Sequence, residues 1–470
     1  MSPSQLSLRQ AAWEVLNHFN AAERNCAELI EKFGAKTQNR SGLVDITLGI
    51  IRNYAFVDSL ITQVSIQPKN NIPTETFNCL RIAVYELVFS NRAHYAVVNE
   101  TVNLARKIGS KKSAGFVNAV LRKTCAHIKN KNANLKIAEP QKTLPLNSRI
   151  GCEFDIDILP DPDRNKAEYL SSAFSLPLWL IEQWLAQFGP EKTTNICFAS
   201  NRRPSIYARA NKLKLTGQEL FEILKAQDIN CDFVDFGELS RAEKYKMVRL
   251  NKPGNISELN VFKEGLFTIQ DITSSSVVPL LNPLPGWKIF DICAAPGTKT
   301  TQIAELIHNK GLIIATDKDN ARLAKLEENI QRLGITSVRI IDYETFLKDL
   351  SAKADSSYQS SGDAVLLDVP CSNSGVLARR PEVRLRITLK KINELAQTQK
   401  QLLNLAASLV KSGGRICYST CSILQQENND VVNAFIKQHS QFSLEKENLV
   451  LPSAGTYDFD GGYTAIIVKK

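Results

Sequence analysis

Two short segments of this 470-residue chain place a cysteine just beyond an apolar run, in company that could make its sulfur reactive. The first is Asp368-Val369-Pro370-Cys371-Ser372-Asn373-Ser374-Gly375-Val376, which follows the run at 364–367. The second is Tyr418-Ser419-Thr420-Cys421-Ser422, which closes the run that begins at Arg415. Taken singly, each thiol reads equally well as a small buried apolar group. Two thiols at the ends of strand-like runs suit covalent chemistry. A thiolate adds to an electron-poor carbon and departs again. Carbon 5 of a pyrimidine is one position that demands such help, since it is not nucleophilic until something adds at carbon 6. A carboxyl group near ring nitrogen 3, and a base to take the carbon-5 proton so that the thiol is eliminated, complete the requirements.

Upstream, Asp291-Ile292-Cys293-Ala294-Ala295-Pro296-Gly297-Thr298-Lys299-Thr300 follows a strand pattern and opens a helix pattern. Ala294, Ala295 and Gly297 are small enough for a ligand to lie against the backbone, and a helix start leaves N–H groups free. The spacing fits neither G-x-x-x-x-G-K-[ST] nor G-x-G-x-x-G. A nucleotide-like cofactor without a pyrophosphate is therefore expected, which favours S-adenosylmethionine over a dinucleotide. Three acids close successive strand patterns: Asp317, Asp342 and Asp368. Each alone could be a helix cap. In a doubly wound sheet, however, strand C-termini line the ligand crevice. Asp317, 26 residues after Asp291, would then bridge ribose hydroxyls, with Asp342 beside the adenine.

The elements that must position these groups read as three domains, as the length requires, because single cores stop growing near roughly 250–300 residues. Residues 1–130 carry apolar positions at helical spacing, with breakers at Gly34, at 69–73 and at Gly109-Ser110, and predict an all-α bundle. Residues 131–165 are polar and proline-bearing, which predicts a linker, partly disordered. Residues 166–255 predict a small α+β module. From 256 to 470, strand and helix patterns alternate, predicting a doubly wound α/β domain with a parallel sheet. The stretch at 353–362 reads as a loop.

The net charge is +10. Residues 1–130 hold 16 Lys and Arg against 9 Asp and Glu. Arg106, Lys107, Lys111, Lys112, Arg122 and Lys123 are bunched, and the cluster reads either as a solvated helix face or as a surface that tracks phosphates. The ten cysteines include no C-x-x-C pair, and the five histidines are scattered. No metal site is expected, and the thiols read as reduced in a cytoplasmic protein. No segment suggests a membrane span, and the absence of a heptad pattern suggests a monomer.

At this point the motifs become specific. D-x-C-A-A-P-G-x-K-T at 291–300, D-x-P-C-S at 368–372 and S-T-C-S at 419–422 resemble the bacterial Fmu/Sun ribosomal RNA cytosine-C5 methyltransferases, within the wider Nol/Nop/Sun family. FTIQDITSS around Gln270-Asp271 and Arg379-Arg380-Pro381-Glu382 fit the same pattern. YELVF at 85–89, VVNETVNLAR at 97–106 and GFVNAVLR at 115–122 resemble NusB, an RNA-binding domain. N-R-R-P at 201–204 and R-A-N-K-L-K at 209–214 resemble the family's small RNA-binding module. The likeness runs over nearly the whole chain and is poorest at 130–165.

The resemblance implies transfer of a methyl group from S-adenosyl-L-methionine to carbon 5 of a cytosine in small-subunit (16S) ribosomal RNA. Cys421 would be the nucleophile, Cys371 would help release the product, and Asp368 would contact the cytosine, with Lys299 in the catalytic set. Cys293, Ala294, Ala295, Pro296, Gly297, Thr298, Lys299, Asp317, Asp342 and Asp368 would hold the cofactor. Arg209, Asn211, Arg379 and Arg380 would join the basic cluster in binding RNA. Two other readings remain: the same reaction on transfer RNA, and an inactive RNA-binding assembly factor. The chain departs from the pattern at Thr298, where a second glycine is usual and where a left-handed backbone would cost about 1–3 kcal/mol. Val369 replaces a small alanine, and Asn373-Ser374 replaces Gly or Ala followed by Thr.

Overall fold

The computed structural model describes residues 5–21, 26–234, 247–351 and 358–470. They form two compact units, Met1–Arg202 with Leu377–Arg386, and Arg203–Val376 with Ile387–Lys470.

The first unit opens with seven helices: α1 (Leu8–His18), α2 (Cys26–Gly34), α3 (Arg40–Arg52), α4 (Tyr54–Ser65), α5 (Thr74–Phe89), α6 (His94–Ile108) and α7 (Lys111–His127). Side chains start several of them. Ser7 and Gln10 form a reciprocal box at α1, Asn39 caps α3 and Ser110 caps α7, each satisfying N–H groups that have no helical partner. Helix α5 is buried from Thr76 to Val88 and forms the axis of the bundle. Gly49 of α3 lies so close to it that an added Cβ would stand 2.1 Å from the Tyr85 hydroxyl oxygen. Charges inside the bundle are paired, as burial demands: Arg9 meets Glu86 at 2.6 Å, and Arg81 meets Asp58 at 2.6 Å.

The expected linker is folded. Strands β1 (Ile128–Asn134), β2 (Thr143–Pro145) and β3 (Ile150–Phe154) make an antiparallel sheet in the order β1-β3-β2. Leu144, Cys152 and Phe154 are buried. A half-solvated sheet needs only alternate apolar residues, so three short strands hide well in polar composition. Helices α8 (Lys166–Phe174) and α9 (Leu178–Asn201) follow, α9 being broken at Gly189, where φ is 76°. Both belong to this unit, whose first segment runs to Arg202. Residues 377–386 also belong to it. Arg384 there is buried and donates to the carbonyls of Phe174 and Ser200, both at 3.0 Å, to that of Arg52, and to Asn201 Oδ1 at 2.8 Å. Burial first, then the neighbouring Arg52 charge, pushes its pKa down to about 9.

The second unit begins with β4 (Ile206–Ala210), α10 (Gly217–Ala226), β5 (Cys231–Val234), β6 (Met247–Leu250), α11 (Asn260–Lys263) and β7 (Phe267–Ile269). The strands form a sheet in the order β5-β6-β4-β7, which Leu220 and Leu224 of α10 cover. Arg209 and Asn211, expected to bind RNA, are inside. Arg209 is 3% exposed, pairs with Glu305 and donates to Gln270 at 2.6 Å. Asn211 is fully buried and donates to the carbonyls of Gly265 at 2.9 Å and Leu333 at 2.8 Å. The R-A-N motif fastens this module to the following domain and presents nothing to a nucleic acid.

That domain contains α12 (Ile272–Leu281), β8 (Lys288–Asp291), α13 (Thr298–Leu306), β9 (Leu312–Ala315), α14 (Asn320–Leu333), β10 (Val338–Ile340), α15 (Tyr343–Ser351), β11 (Gly362–Asp368), α16 (Leu389–Leu409), β12 (Val410–Thr420), α17 (Asn429–Gln438), β13 (Phe442–Val450) and β14 (Gly462–Lys469). The sheet order is β10-β9-β8-β11-β12-β14-β13. Strands β8 to β12 pair in parallel, while β14 runs antiparallel to β12 and β13. The last two strands had no expectation in the sequence. Of the loop expected at 353–362, residues 353–357 lie outside the described residues, 358–360 form a turn and Gly362 starts β11. From β8 the chain winds outward through β9 and β10, then returns to the other side of β8 as β11. The switch point, where a crevice opens at strand C-termini, therefore lies between the 291–300 loop and Asp368.

Candidate active site

Asp368 of β11 pairs in register with Ser419 of β12. Cys371 and Cys421 thus leave adjacent parallel strands at nearly the same height, and their sulfurs stand 3.0 Å apart. Cys421 is part-exposed, whereas Cys371 is buried. The Cys371 thiol is held well above its ordinary pKa, first by its contact with the Cys421 sulfur and then by burial.

A buried polar network fixes the two turns. The Ser372 N–H donates to Glu427 Oε1 at 2.7 Å, and the Ser372 hydroxyl donates to Glu427 Oε2. Gln399 Nε2 of α16 donates to the Pro370 carbonyl at 2.9 Å and to Glu427 Oε1 at 3.2 Å. Asn428 accepts from the Thr420 hydroxyl at 2.6 Å and donates to the Ser422 carbonyl at 3.0 Å. Ser374 and Ser422 bridge the turns at 2.9 Å, and the Gly375 N–H donates to the Cys421 carbonyl at 3.0 Å. Gln399, Glu427 and Asn428 escaped the sequence reading. The trace of Glu427 and Asn428 was a polar run, 425–430, at the start of a helix pattern, and polar runs there are ordinarily solvated; Gln399, one polar residue inside a helix pattern, left none.

On the cofactor side, α13 starts directly after Gly297, whose φ is 99°. Thr298 is the first helical residue, so the left-handed position is the glycine's and the threonine is unstrained. A Cβ on Gly297 would lie 2.3 Å from Leu326 Cδ1. Ala294 and Ala295 are buried, Pro296 is exposed and joined by a cis bond, and Cys293 is part-buried. Lys299 is buried and meets Asp368 at 2.7 Å. Burial alone would lower the Lys299 pKa, but the Asp368 charge and hydrogen bond prevail and raise it. Asp317 accepts from the N–H groups of Ala295 at 3.1 Å and Asp319 at 3.0 Å, bracing the loop. Asp342 is exposed beyond the edge strand β10 and caps α15, accepting from the Thr345 N–H at 2.9 Å. Its pKa is lowered by the hydrogen bonds from Thr345.

Asp291 carries the test of fit. Its carboxyl is buried, pushed up to about 7 by desolvation, and bonded through Oδ2 to the Thr300 hydroxyl at 2.7 Å, while Oδ1 has no partner. An orphaned carboxylate oxygen at the end of β8, followed by the small Ala294, Ala295 and Gly297, suits a cationic, nucleoside-bearing ligand such as S-adenosylmethionine. The residues present fit that cofactor.

Of the expected RNA contacts, Arg106, Lys107, Lys111, Lys112, Arg122, Lys123 and Arg380 are exposed and Arg379 is half-buried. Among the described residues no group of His, Cys, Asp and Glu could hold a metal, and no helix is long and apolar enough to cross a membrane.

Comparison with known proteins places this arrangement. Residues 278–462 match the family described as 16S rRNA methyltransferase RsmB/F, residues 6–125 the NusB family, and residues 176–240 the ferredoxin-like domain of RsmF/B-like methyltransferases. A probable ribosomal RNA small subunit methyltransferase B of Synechocystis is 31% identical over 98% of this chain and 96% of its own. The chain belongs to the RsmB/F methyltransferase family. It is an S-adenosylmethionine-dependent methyltransferase. The fold matches the crystal structure of PH0851, with a TM-score of 0.72 over 99% of this chain and all of the other at 24% identity. NSun6 from Pyrococcus horikoshii with SFG is 26% identical, with a TM-score of 0.51 over 62% of this chain and 98% of its own.

Proposed function

We propose that this protein methylates carbon 5 of a cytosine in small-subunit ribosomal RNA through a covalent bond between Cys421 and carbon 6. The observation that carries the reading is the pair of sulfurs 3.0 Å apart beside the Lys299–Asp368 ion pair. The Cys421 sulfur, as thiolate, adds to carbon 6 and makes carbon 5 nucleophilic. The Lys299–Asp368 pair, which holds a proton between nitrogen and carboxylate oxygen 2.7 Å apart, faces the ring and passes that proton through Asp368 to nitrogen 3 as electron density builds. When bound, S-adenosylmethionine supplies an electrophilic methyl group, and the 293–299 loop with Asp291, Asp317, Asp342 and Asp368 holds it. Cys371, buried against Cys421, helps release the product by positioning a water that takes the carbon-5 proton, after which the Cys421–carbon bond breaks.

The substrate follows from the kinship with small-subunit enzymes and from the exposed basic residues of α6 and α7. Lys111 and Lys112 stand at the N-terminus of α7 with no acid in its first turn. That placement opposes the helix dipole and favours an anion there, such as a phosphate. Arg379 and Arg380 add to the RNA-facing charge. The base must be looped out or flipped to reach the thiols. The protein works as a cytoplasmic monomer.

The test is incubation with labelled S-adenosylmethionine and small-subunit ribosomal RNA that lacks the modification. Label in 5-methylcytosine is expected with the native protein and none with Cys421→Ser. The Cys371→Ala protein should accumulate a covalent RNA adduct. Its failure to do so, in a protein that still binds RNA, would falsify the thiol mechanism.

A further inference from the structure

Asn373 sits two residues beyond Cys371 with φ at 62°, a left-handed backbone that asparagine tolerates better than most residues. Its side chain spans the two thiol turns. The Nδ2 group donates to the Cys371 carbonyl at 3.0 Å, and Oδ1 lies 3.1 Å from the Cys421 sulfur. The orientation of the amide is dictated by its partners, because a backbone carbonyl only accepts and must receive the NH2 end. What Cys421 meets is then an oxygen that can accept a hydrogen and cannot give one. A thiol satisfies that oxygen, whereas a thiolate would face its lone pairs.

We propose that Asn373 is a positioning residue for the nucleophile, holding the Cys421 sulfur in its protonated form and aiming it between the two strand-end turns. The inference rests on the reading of Cys421 as the attacking group. Titratable groups around this sulfur include Cys371, from the turn after β11, and Lys299, from α13; Asp368 pairs with Lys299, and Glu427 acts on Cys371. Cys421 has one hydrogen, so with that hydrogen given to Asn373 the contact with Cys371 takes its hydrogen from Cys371. Lys299 is committed to Asp368 at 2.7 Å, and its charge favours the thiolate. Asn373 and Lys299 therefore pull the Cys421 proton in opposite directions. A small residue at 373 would remove the amide acceptor from the sulfur.

The experiment uses the full-length protein with Asn373→Gly, which relieves the left-handed backbone, and with Asn373→Asp, which keeps the acceptor and adds a negative charge. The rate of iodoacetamide alkylation at Cys421, read from its peptide by mass spectrometry, is followed from neutral to alkaline pH. The glycine variant should move the midpoint to lower pH and raise the neutral-pH rate about two- to tenfold, the worth of one hydrogen bond. The aspartate variant should move the midpoint the other way. Unchanged midpoints in both variants, or slower alkylation in the glycine variant, would overturn the proposal. Adduct formation with RNA in a Cys371→Ala background separates the two readings. If the midpoints move and no adduct forms, Asn373 controls the Cys421 proton and the catalytic assignment fails. If the adduct forms and the midpoints stay put, the catalytic assignment stands and the role of Asn373 is refuted.

Discussion

Asp291 offers a measurement whose size follows from its surroundings. Burial pushes its carboxyl from an ordinary 3.8 up to about 7, so ionising it in place costs roughly 4 kcal/mol more than in the unfolded chain. Because the folded pKa is the higher one, the stability it confers is fully present below 3.8 and is lost as pH rises through about 7. Asn at this position cannot titrate, yet it can still accept from the Thr300 hydroxyl. Any fixed cost of the substitution is the same at every pH. The stability difference between Asp291→Asn and the native protein should therefore shift by roughly 4 kcal/mol in the variant's favour across this window. Native-state hydrogen exchange of the β8 amides, with variant compared against native at each pH, reads this locally and cancels the intrinsic pH dependence of exchange. Saturating S-adenosylmethionine, whose positive charge favours the carboxylate, should flatten the native curve toward that of the variant. Parallel curves for the two proteins without cofactor would mean that Asp291 is ionised at little cost, and the argument from its orphaned oxygen would collapse.

Three further outcomes are expected. Glu427→Ala strands the Ser372 N–H and hydroxyl, while Gln399 keeps the Pro370 carbonyl, lowering stability by roughly 2–6 kcal/mol at about 1–3 per buried group. Urea unfolding measures this, and Glu427→Gln, which keeps one acceptor oxygen, should lose less. Lys299→Ala leaves Asp368 without its cation and should slow methyl transfer about a hundredfold through misplacement. Lys299→Arg should restore little of the rate, since a planar fork does not fit a buried point-charge site. Lys111→Ala with Lys112→Ala should weaken RNA binding and reduce the slope of log affinity against log salt by about 1.4–1.8, with kcat unchanged; an unaltered slope would remove α7 from the RNA surface.

Where a motif's chemistry is local, the chain could be read directly. The small residues at 294–297, the strand-to-helix switch after Asp291 and the two thiol segments each depend on neighbours only a few positions away, so composition and spacing carry them. The polar strands at 128–154 failed because one buried residue in two is all that a half-solvated sheet displays. Strands β13 and β14 went unread for a related reason: β14 is held by pairing with β12 and β13 and shows no cofactor or thiol motif of its own.

The sequence by itself marked the small-residue loop, the two cysteines and the alternating elements that bring them together, since these follow from residue types and short-range periodicity, and its resemblance to the Fmu/Sun enzymes implied the reaction class. Only the tertiary structure decided the rest. Arg209 and Asn211 look like surface residues until Glu305, 96 residues away, is folded against Arg209. Glu427 looks like one more exposed acid until Ser372, 55 residues away, donates to it. Thr298 looks strained until the left-handed φ is seen to belong to Gly297. The physical reason is the same in each case: a charge or an amide is either solvated or paired inside. Which of the two occurs depends on partners that chain order does not reveal.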